Sequence, residues 1–420
     1  MRRLIEPLVE DWHRTLFATL VLAVVIRAIF IFSLQDGFYF PDSIEYSRAA
    51  ASLAGTGQLD HGYNRPPGYA VFLAGIYKFF GQNILTIRII ESLLGGWLAV
   101  IIAMIGKRVG GQIVGGIAGL LWALYPLGVF IVGLLYPTNL VALLLASGVL
   151  CFIPGSDKGL SQKRLFVAGI ILGLAALTVP VVIATLAMVS IWIVCHNRER
   201  RVRLVCLLLI GVALTVIPWM IRDLYVYNRL VLIEPRIVEH LPRIDGAQKN
   251  DRERKFEAIR EHPSFFVARY VHEFLHFWKP YPDHLAMDSR KVREEAYEVD
   301  HRIVKETIFS QNNLVTVVNL LSTGPLFIFA IIGTITMWLE PAKRHYLTLL
   351  WAIILSFAGV YSLFYAKTRY RIPVEPYITI LSAYGLRKTW LLVAAHFTNS
   401  SKVRDGEELN PHLQPVNSKV

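Results

Sequence analysis

Residues 40–69 read FPDSIEYSRAAASLAGTGQLDHGYNRPPGY and form a polar stretch between long apolar runs. The stretch contains three acids, a histidine, and an arginine in front of a double proline: Asp42, Glu45, Asp60, His61 and Arg65. A carboxylate at a partly enclosed interface is able to take a proton from a substrate hydroxyl group. We interpret the stretch as the first loop outside a membrane and as the place where the chemistry is done.

The composition on either side of this loop is that of a membrane protein. Of the 420 residues, 54% are hydrophobic and 18% are charged, and the mean hydropathy is +0.47. Several apolar runs approach the ~20 residues that cross a bilayer as a helix, and a backbone inside lipid must satisfy its own hydrogen bonds. We therefore expect an all-α polytopic membrane protein. The net charge of +12 comes from short clusters between the runs, which indicates topology rather than nucleic-acid binding.

The apolar runs predict ten transmembrane helices. They cover residues 16–34, 84–105, 113–132, 140–152, 165–194, 204–221, 314–339, 347–365 and 377–395. Pro180 divides the long fifth run into two spans, since a proline removes a hydrogen bond inside a helix. Two further helices, starting at Pro41 and covering 69–80, are expected to lie at the interface. With ten spans, the basic clusters between the runs face the cytoplasm.

These spans divide the chain into four parts. They are an N-terminal transmembrane module (1–221) with a catalytic first outer loop (35–83), an extracytoplasmic segment (222–312), C-terminal transmembrane helices (313–395) and a disordered cytoplasmic tail (396–420). The three cysteines lie in or beside apolar runs and offer neither a disulfide framework nor metal-ligand spacing.

Asp42 is the residue that we expect to act as the general base, with Glu45 beside it. A positioned carboxylate accelerates proton transfer by about 10²–10⁴-fold. The alternative is structural, because an acid after a proline with a glutamate three residues later is typical of a capping box at the start of a helix. The two roles are compatible, and the sequence leaves both open.

Five basic residues fall on the outer side of the predicted topology, against the positive-inside bias: Arg65, Arg222, Lys367, Arg369 and Arg371. The main candidates among them are Arg65, Arg369 and Arg371. Guanidinium groups hold phosphate through several donors at once, so these residues are candidates for binding a lipid-linked phosphate at the outer leaflet. The alternative is simple anchoring at the level of the lipid headgroups. Three residues of the outer segments are secondary candidates: His61, Tyr370 and Arg222.

Residues 272–276 read HEFLH, which matches the HExxH pattern of zinc proteases. In that interpretation His272 and His276 bind the metal ion and Glu273 is the base. The pattern is short, and the aromatic residues around it are more typical of an amphipathic helix on a membrane surface. No third ligand stands out, although three residues are available further along the chain: His284, Glu294 and Glu295. We expect no metal site here.

Four motifs, in this order relative to the predicted spans, resemble those of a known group. They are PDSIEYSRAA (41–50), RPPGY (65–69), IPWMIRDLYVYNRLVLI (217–233) and RYRIPVEPYI (369–378). The chain resembles the GT-C fold membrane glycosyltransferases. It is most similar to the bacterial relatives of protein O-mannosyltransferases and of the lipid A aminoarabinose transferase. The resemblance covers most of residues 14–390.

The resemblance implies that a sugar is transferred from a polyprenyl-phosphate donor to an acceptor glycan, lipid or protein at the outer face of the bacterial inner membrane. It also implies that Asp42 is the base and that Arg65, Arg369 and Arg371 contact the donor phosphate. Many relatives carry an acid in the second outer loop, where this chain has Tyr-Pro-Thr-Asn at 136–139. This departure leaves open whether a divalent cation is required. Two other functions remain as alternatives, a membrane zinc metalloprotease and a transporter or flippase of lipid-linked glycans.

Overall fold

The computed structural model describes residues 11–59, 63–153, 160–197, 199–227, 263–280, 313–364 and 366–404. Within these ranges the α-helices are α1 (Trp12–Ser33), α2 (Pro41–Thr56), α3 (Pro67–Phe80), α4 (Ile84–Gly110), α5 (Gln112–Leu124), α6 (Pro126–Phe130), α7 (Pro137–Phe152), α8 (Gln162–Thr178), α9 (Val182–His196), α10 (Arg201–Tyr227), α11 (Pro263–Phe277), α12 (Asn313–Leu339), α13 (Arg344–Ser362), α14 (Thr368–Arg371) and α15 (Glu375–Arg404). Three short 3-10 helices cover Ile131–Gly133, Pro341–Lys343 and Ile372–Val374. The predicted all-α class is confirmed.

Fewer helices than ten are long and apolar enough to cross a membrane. By length and composition, five helices of the described residues qualify, and six if the bent pair formed by α5 and the helix after it is one span. The shorter apolar helices α7 and α9 add two segments of the kind predicted for spans. The count of ten spans therefore stays a prediction.

Prolines account for where the apolar runs break. The fifth run is divided as expected, with α8 ending at Thr178 and α9 beginning at Val182. The third run, predicted as one span, bends by 57° between α5 and the helix that follows. Pro126 has no N–H to donate and forces Tyr125 into an extended conformation (ψ 116°), which ends α5.

Two helix ends lie beyond their predicted limits. Helix α10 continues through Arg222 and Asp223, whose side chains form an ion pair at 2.8 Å, although we expected the outer segment to begin there. Helix α15 continues to Arg404, past residue 396, where we expected the tail to begin, and the disorder of the tail stays a prediction. Residues 405–420 lie outside the described residues.

Helix α4 links the two ends of the bundle. Its 27 residues correspond to a length of about 40 Å. At its C-terminal end, basic side chains that the topology assigns to the cytoplasm donate to helix-end carbonyl groups: Arg108, Lys343 and Arg387. At its N-terminal end, α2 and α3 pack over a second, smaller apolar core that includes Ile44, Leu73 and Ile87. The predicted catalytic loop is therefore a folded unit on the end opposite the basic cluster.

Candidate active site

The first turn of α2 presents two carboxylates. Pro41 occupies the first helical position, Phe40 is the N-cap, and the cap makes no side-chain hydrogen bond. Asp42 and Glu45 therefore lie inside the helix, and both of their side chains are bound by Arg65. The capping-box alternative is wrong for this reason. The positive end of the helix dipole still favours a negative charge at Asp42.

Arg65 is held between the two acids. Its Nη2 donates to Asp42 Oδ1 at 2.8 Å and its Nε donates to Glu45 Oε2 at 2.5 Å. The chain is fixed next to it, because the Tyr63 hydroxyl donates to the Pro66 carbonyl at 2.8 Å and Pro67 begins α3. Burial lowers the pKa of Arg65, but the hydrogen bond to Glu45 and the charge of Asp42 outweigh it and raise the pKa overall. Arg65 thus keeps its positive charge.

A strained turn brings Tyr136 to the same carboxylate. Leu135 has φ 51°, a left-handed conformation that costs a non-glycine residue roughly 1–2 kcal/mol. The turn is tied to α2, because the Ser43 hydroxyl donates to the Leu134 carbonyl at 2.5 Å. Tyr136 then directs its hydroxyl to Asp42 Oδ2 as a hydrogen-bond donor. The sequence analysis did not assign Tyr136 a role.

Arg369 reaches Asp42 from the far end of the chain. Its Nη2 lies 3.5 Å from Asp42 Oδ2. Its guanidinium lies over the rings of Tyr136 and Tyr370, with centroid distances of 4.9 and 5.2 Å. Tyr370 is itself stacked on Tyr361, with ring centroids 4.3 Å apart. Burial lowers the pKa of Arg369, and the Tyr370 oxygen and the Asp42 carboxylate reverse this effect, so the pKa is raised. Asp42, Arg65, Tyr136 and Arg369 therefore converge from four separate parts of the chain.

Arg371 lies in a different environment from Arg369. Its side chain is 0% exposed, and its Nε donates to Glu375 Oε1 at 2.8 Å, where Glu375 is also 0% exposed. Its Nη1 donates to the carbonyl groups of Phe277 and Lys279 at 2.8 and 2.7 Å. These bonds hold Nε and Nη1 inside the protein, and Nη2 is buried as well, so the expected contact with a donor phosphate has no support from the geometry.

The secondary candidates have separate positions. Tyr370 lines the cluster, as described above. Arg222 pairs with Asp223 and lies over the Trp219 ring at 5.0 Å. His61 and Asp60 lie outside the described residues.

Two charged residues of α4, Arg88 and Glu91, bind the segments next to the site residues. The sequence analysis did not single them out. Arg88 donates to the carbonyl groups of Gln35, Gly37 and Gly133, which fixes the loop after α1 and the turn before Tyr136. Glu91 is 1% exposed, and its carboxylate accepts hydrogen bonds from the side chains of Tyr69 and Asn139. The signal that finds them is a charge inside an otherwise apolar span, where a charged side chain requires a partner.

The HEFLH segment lies on α11, but its side chains do not form a metal site. The His272 side chain is 77% exposed, whereas Glu273 is buried and its Oε2 accepts a hydrogen bond from the Ala366 N–H at 2.8 Å. Among the described residues, no group of three His, Cys, Asp or Glu side chains could hold a metal ion. The third ligands considered from the sequence lie outside those residues: His284, Glu294 and Glu295.

A divalent cation does not fit the acids of the cluster either. Asp42 and Glu45 share the Arg65 guanidinium between them. Their charges are therefore already compensated by a cation of the protein. This donor set favours an anionic ligand at the cluster over a metal ion.

Comparisons with known proteins agree with this architecture. Residues 64–221 match the family model described as dolichyl-phosphate-mannose-protein mannosyltransferase, a match that includes Arg65 and Tyr136 but not Asp42. None of the curated proteins compared with the chain matches it.

Two solved structures share the fold along nearly the whole chain. ArnT from Cupriavidus metallidurans bound to undecaprenyl phosphate is 16% identical, with a TM-score of 0.56, over 95% of this chain and 66% of ArnT. The Archaeoglobus fulgidus oligosaccharyltransferase in its apo form is 13% identical, with a TM-score of 0.58, over 93% of this chain and 52% of that enzyme. The chain thus spans under two thirds of the length of ArnT and about half that of the oligosaccharyltransferase. It has the GT-C fold of the polyprenyl-phosphate-dependent membrane glycosyltransferases, which confirms the resemblance inferred from its motifs.

Proposed function

We propose that this protein is a glycosyltransferase that moves a sugar from a polyprenyl-phosphate-linked donor to an acceptor at the extracytoplasmic face of a membrane. The observation that carries the proposal is the convergence of Asp42 with two arginines and a tyrosine from distant parts of the chain. The family match points to the same chemistry, and so do the neighbours, since ArnT was solved with undecaprenyl phosphate and the archaeal enzyme with a dolichol-phosphate and an inhibitory peptide.

In the proposed reaction Asp42 takes the proton of an acceptor hydroxyl or amine. The acceptor atom attacks the anomeric carbon of the sugar as the bond from that carbon to the phosphate oxygen breaks. The polyprenyl phosphate leaves with the electron pair of that bond. A direct displacement of this kind inverts the anomeric centre. Glu45 accepts a hydrogen bond from Arg65 and so holds the guanidinium in place. Tyr136 donates a hydrogen bond to Asp42 and so holds the carboxylate.

Arg65 and Arg369 are proposed to hold the departing phosphate. Positive donors aimed at the site where charge develops stabilise the transition state, and each contributes about 10²–10³ in rate. Arg369 has capacity for a further bond, because 28% of its side chain is exposed and its Nε has no hydrogen-bond partner within the described ranges. The sequence analysis also assigned phosphate binding to Arg371, and we now propose that Arg65 and Arg369 bind the phosphate without it.

In the proposed orientation, this end of the bundle lies on the extracytoplasmic side of the membrane. The basic residues Arg108, Lys343 and Arg387 lie at the other end of α4, where the positive-inside rule puts the cytoplasm. The segment 222–312 is proposed to contribute to acceptor choice, and α11 is its described helix beyond the end of α10. In a bacterium this corresponds to the inner membrane.

Asp42→Asn tests the proposal, in purified protein supplied with a polyprenyl-phosphate sugar. We expect transfer to fall about 10²–10⁴-fold, because the amide does not accept the proton. Asp36→Asn is the matched control, since it removes an exposed acid of the same outer loop, and it should leave the rate unchanged. Full activity of Asp42→Asn, with unfolding temperatures equal for all three proteins, would remove Asp42 from the role of base.

The same preparation separates the two alternatives. A zinc protease predicts bound zinc in the purified protein and its loss in His272→Ala. A transporter of lipid-linked glycans predicts no product in detergent, where there are no two compartments to move substrate between. Three buried charges of α1 and α4 are bonded to groups of the protein. Arg27 and Arg88 donate to carbonyl groups, and Glu91 accepts from tyrosine and asparagine side chains.

A further inference from the structure

Helix α11 is bonded to the segment that carries Arg369. The Glu273 Oε2 accepts a hydrogen bond from the Ala366 N–H at 2.8 Å, and the Arg269 Nη2 donates to the Phe364 carbonyl at 3.3 Å. Glu273 is 5% exposed. A buried amide that donates to a carboxylate makes one of the stronger hydrogen bonds available to a protein. The chain is therefore fixed three residues before Arg369.

A second attachment follows Arg369 by two residues. The Arg371 Nη1 donates to the carbonyl groups of Phe277 and Lys279 at the C-terminal end of α11. Arg371 is itself held by Glu375, and its guanidinium lies over the Phe327 ring at 5.0 Å. The one-turn helix α14 is thus bonded to α11 on both sides of Arg369.

The cluster at Asp42 requires such support, because the direct contact of Arg369 is long. Its Nη2 lies 3.5 Å from Asp42 Oδ2 and 3.4 Å from the Tyr370 hydroxyl oxygen, and its guanidinium lies over the rings of Tyr136 and Tyr370. A helix of four residues has too few internal hydrogen bonds to hold its own geometry. A displacement of about 1 Å at a group that acts on the transition state lowers the rate by up to about 10²-fold.

We propose that Glu273 and Arg371 are positioning residues that clamp α14 at both ends and so place the Arg369 guanidinium against Asp42 and the donor phosphate. The inference rests on the proposed function for its effect on transfer. The clamp itself is a property of α11 and α14. It gives the HEFLH segment a use that needs no metal ion, since its glutamate is a hydrogen-bond acceptor for the backbone.

Conservative and non-conservative changes at Glu273 test the clamp by hydrogen exchange. In Glu273→Ala the Ala366 amide loses its acceptor, so exchange in a peptide covering 364–371 should quicken about tenfold or more. Glu273→Gln keeps a carbonyl oxygen for that amide and should exchange like the wild type. Leu275→Ala, which shortens a side chain that is 65% exposed on the same helix, is the control and should also be unchanged. Equal exchange in Glu273→Ala and the wild type would overturn the clamp, whatever the protein catalyses.

Transfer rates then test the positioning of Arg369. We expect Glu273→Ala to lower the transfer rate by about tenfold or more and Glu273→Gln to stay within about threefold of the wild type. In an Arg369→Ala background, Glu273→Ala should have no further effect, because both changes remove the same guanidinium from the site.

Three outcomes would overturn the positioning role of Glu273, and a fourth concerns the proposed function. A full tenfold loss from Glu273→Ala in the Arg369→Ala background would overturn the positioning role, as would faster exchange with an unchanged transfer rate. A Gln variant as inactive as the Ala variant would do so too, and would favour Glu273 acting as a base. If the wild-type protein transfers no sugar at all, the proposed function fails, while the exchange result still decides the clamp.

Discussion

Arg369 and Arg371 are two residues apart on one helical turn, and the structure places them in opposite kinds of environment. Successive residues of an α-helix are rotated by about 100°, so side chains two apart point to nearly opposite sides. Arg369 faces Asp42 with 28% of its side chain exposed. Arg371 faces inward and is fully buried with Glu375. The sequence RYR presents two similar cations, and the fold gives them different functions.

The difference lies in how firmly each guanidinium is bound. A charge that is fully removed from solvent must be paired permanently, because leaving it alone inside the protein is costly. Arg371 meets this condition with a carboxylate and two carbonyl groups. Arg369 has long contacts to a carboxylate and to the Tyr370 hydroxyl, at 3.5 and 3.4 Å, and it lies over two aromatic rings. The first arrangement suits a structural anchor, and the second suits a group that exchanges a protein partner for a substrate.

Replacing Arg371 should have the largest effect on stability. Arg371→Met leaves Glu375 buried without its partner, and we expect a loss of about 3–5 kcal/mol in the free energy of unfolding. Thermal unfolding in detergent would measure it. In Arg371→Met with Glu375→Leu both charges are gone, so stability should return while transfer stays low, because the bonds to Phe277 and Lys279 are also gone. Recovery of both properties would show that Arg371 has no positioning role.

Replacing Arg369 should instead lower activity with little change in unfolding temperature. We expect Arg369→Ala to reduce kcat/KM for the lipid-linked donor by about 10²–10³. Arg369→Lys keeps the charge but not the planar fork of donors, so it should recover part of that loss. Lys78→Ala, which removes an exposed cation from α3, is the control. A large fall in unfolding temperature for Arg369→Ala would mean that the two arginines are both anchors.

The positions of most helices, and the proximity of Asp42 to Arg65 and Arg369, could be predicted from the sequence for physical reasons. Apolar runs are long and their breaks occur at prolines, so the positions of most helices follow from local chemistry. The meeting of Asp42 with Arg65 and Arg369 was predicted from motifs in a known order along the chain. The same motifs could not separate Arg369 from Arg371, because the direction of a side chain on a four-residue helix depends on what packs around it.

Other members of the site depend on tertiary contacts that leave little trace in the sequence. Tyr136 lies in a turn whose geometry requires Leu135 at φ 51°, and no residue type there indicates a left-handed conformation. Arg88 and Glu91 are visible as charges within an apolar run, but their partners come from segments about fifty residues away. The buried role of Glu273 is hidden by a motif that suggests zinc.

The smallest effect we predict is that of Tyr136→Phe, which tests whether the cluster needs more than its charges. Phenylalanine keeps the ring beneath Arg369 and removes only the hydroxyl that donates to Asp42. A hydrogen bond to a charged group contributes about 1.5–3 kcal/mol. Because Asp42 is still held by Arg65 at 2.8 Å, we expect only a part of that to be lost, roughly a tenfold decrease in kcat. The KM for the donor should be unchanged, since both phosphate-binding arginines remain. An increase in KM without a change in kcat would instead show that Tyr136 acts on the donor through Arg369 and its ring.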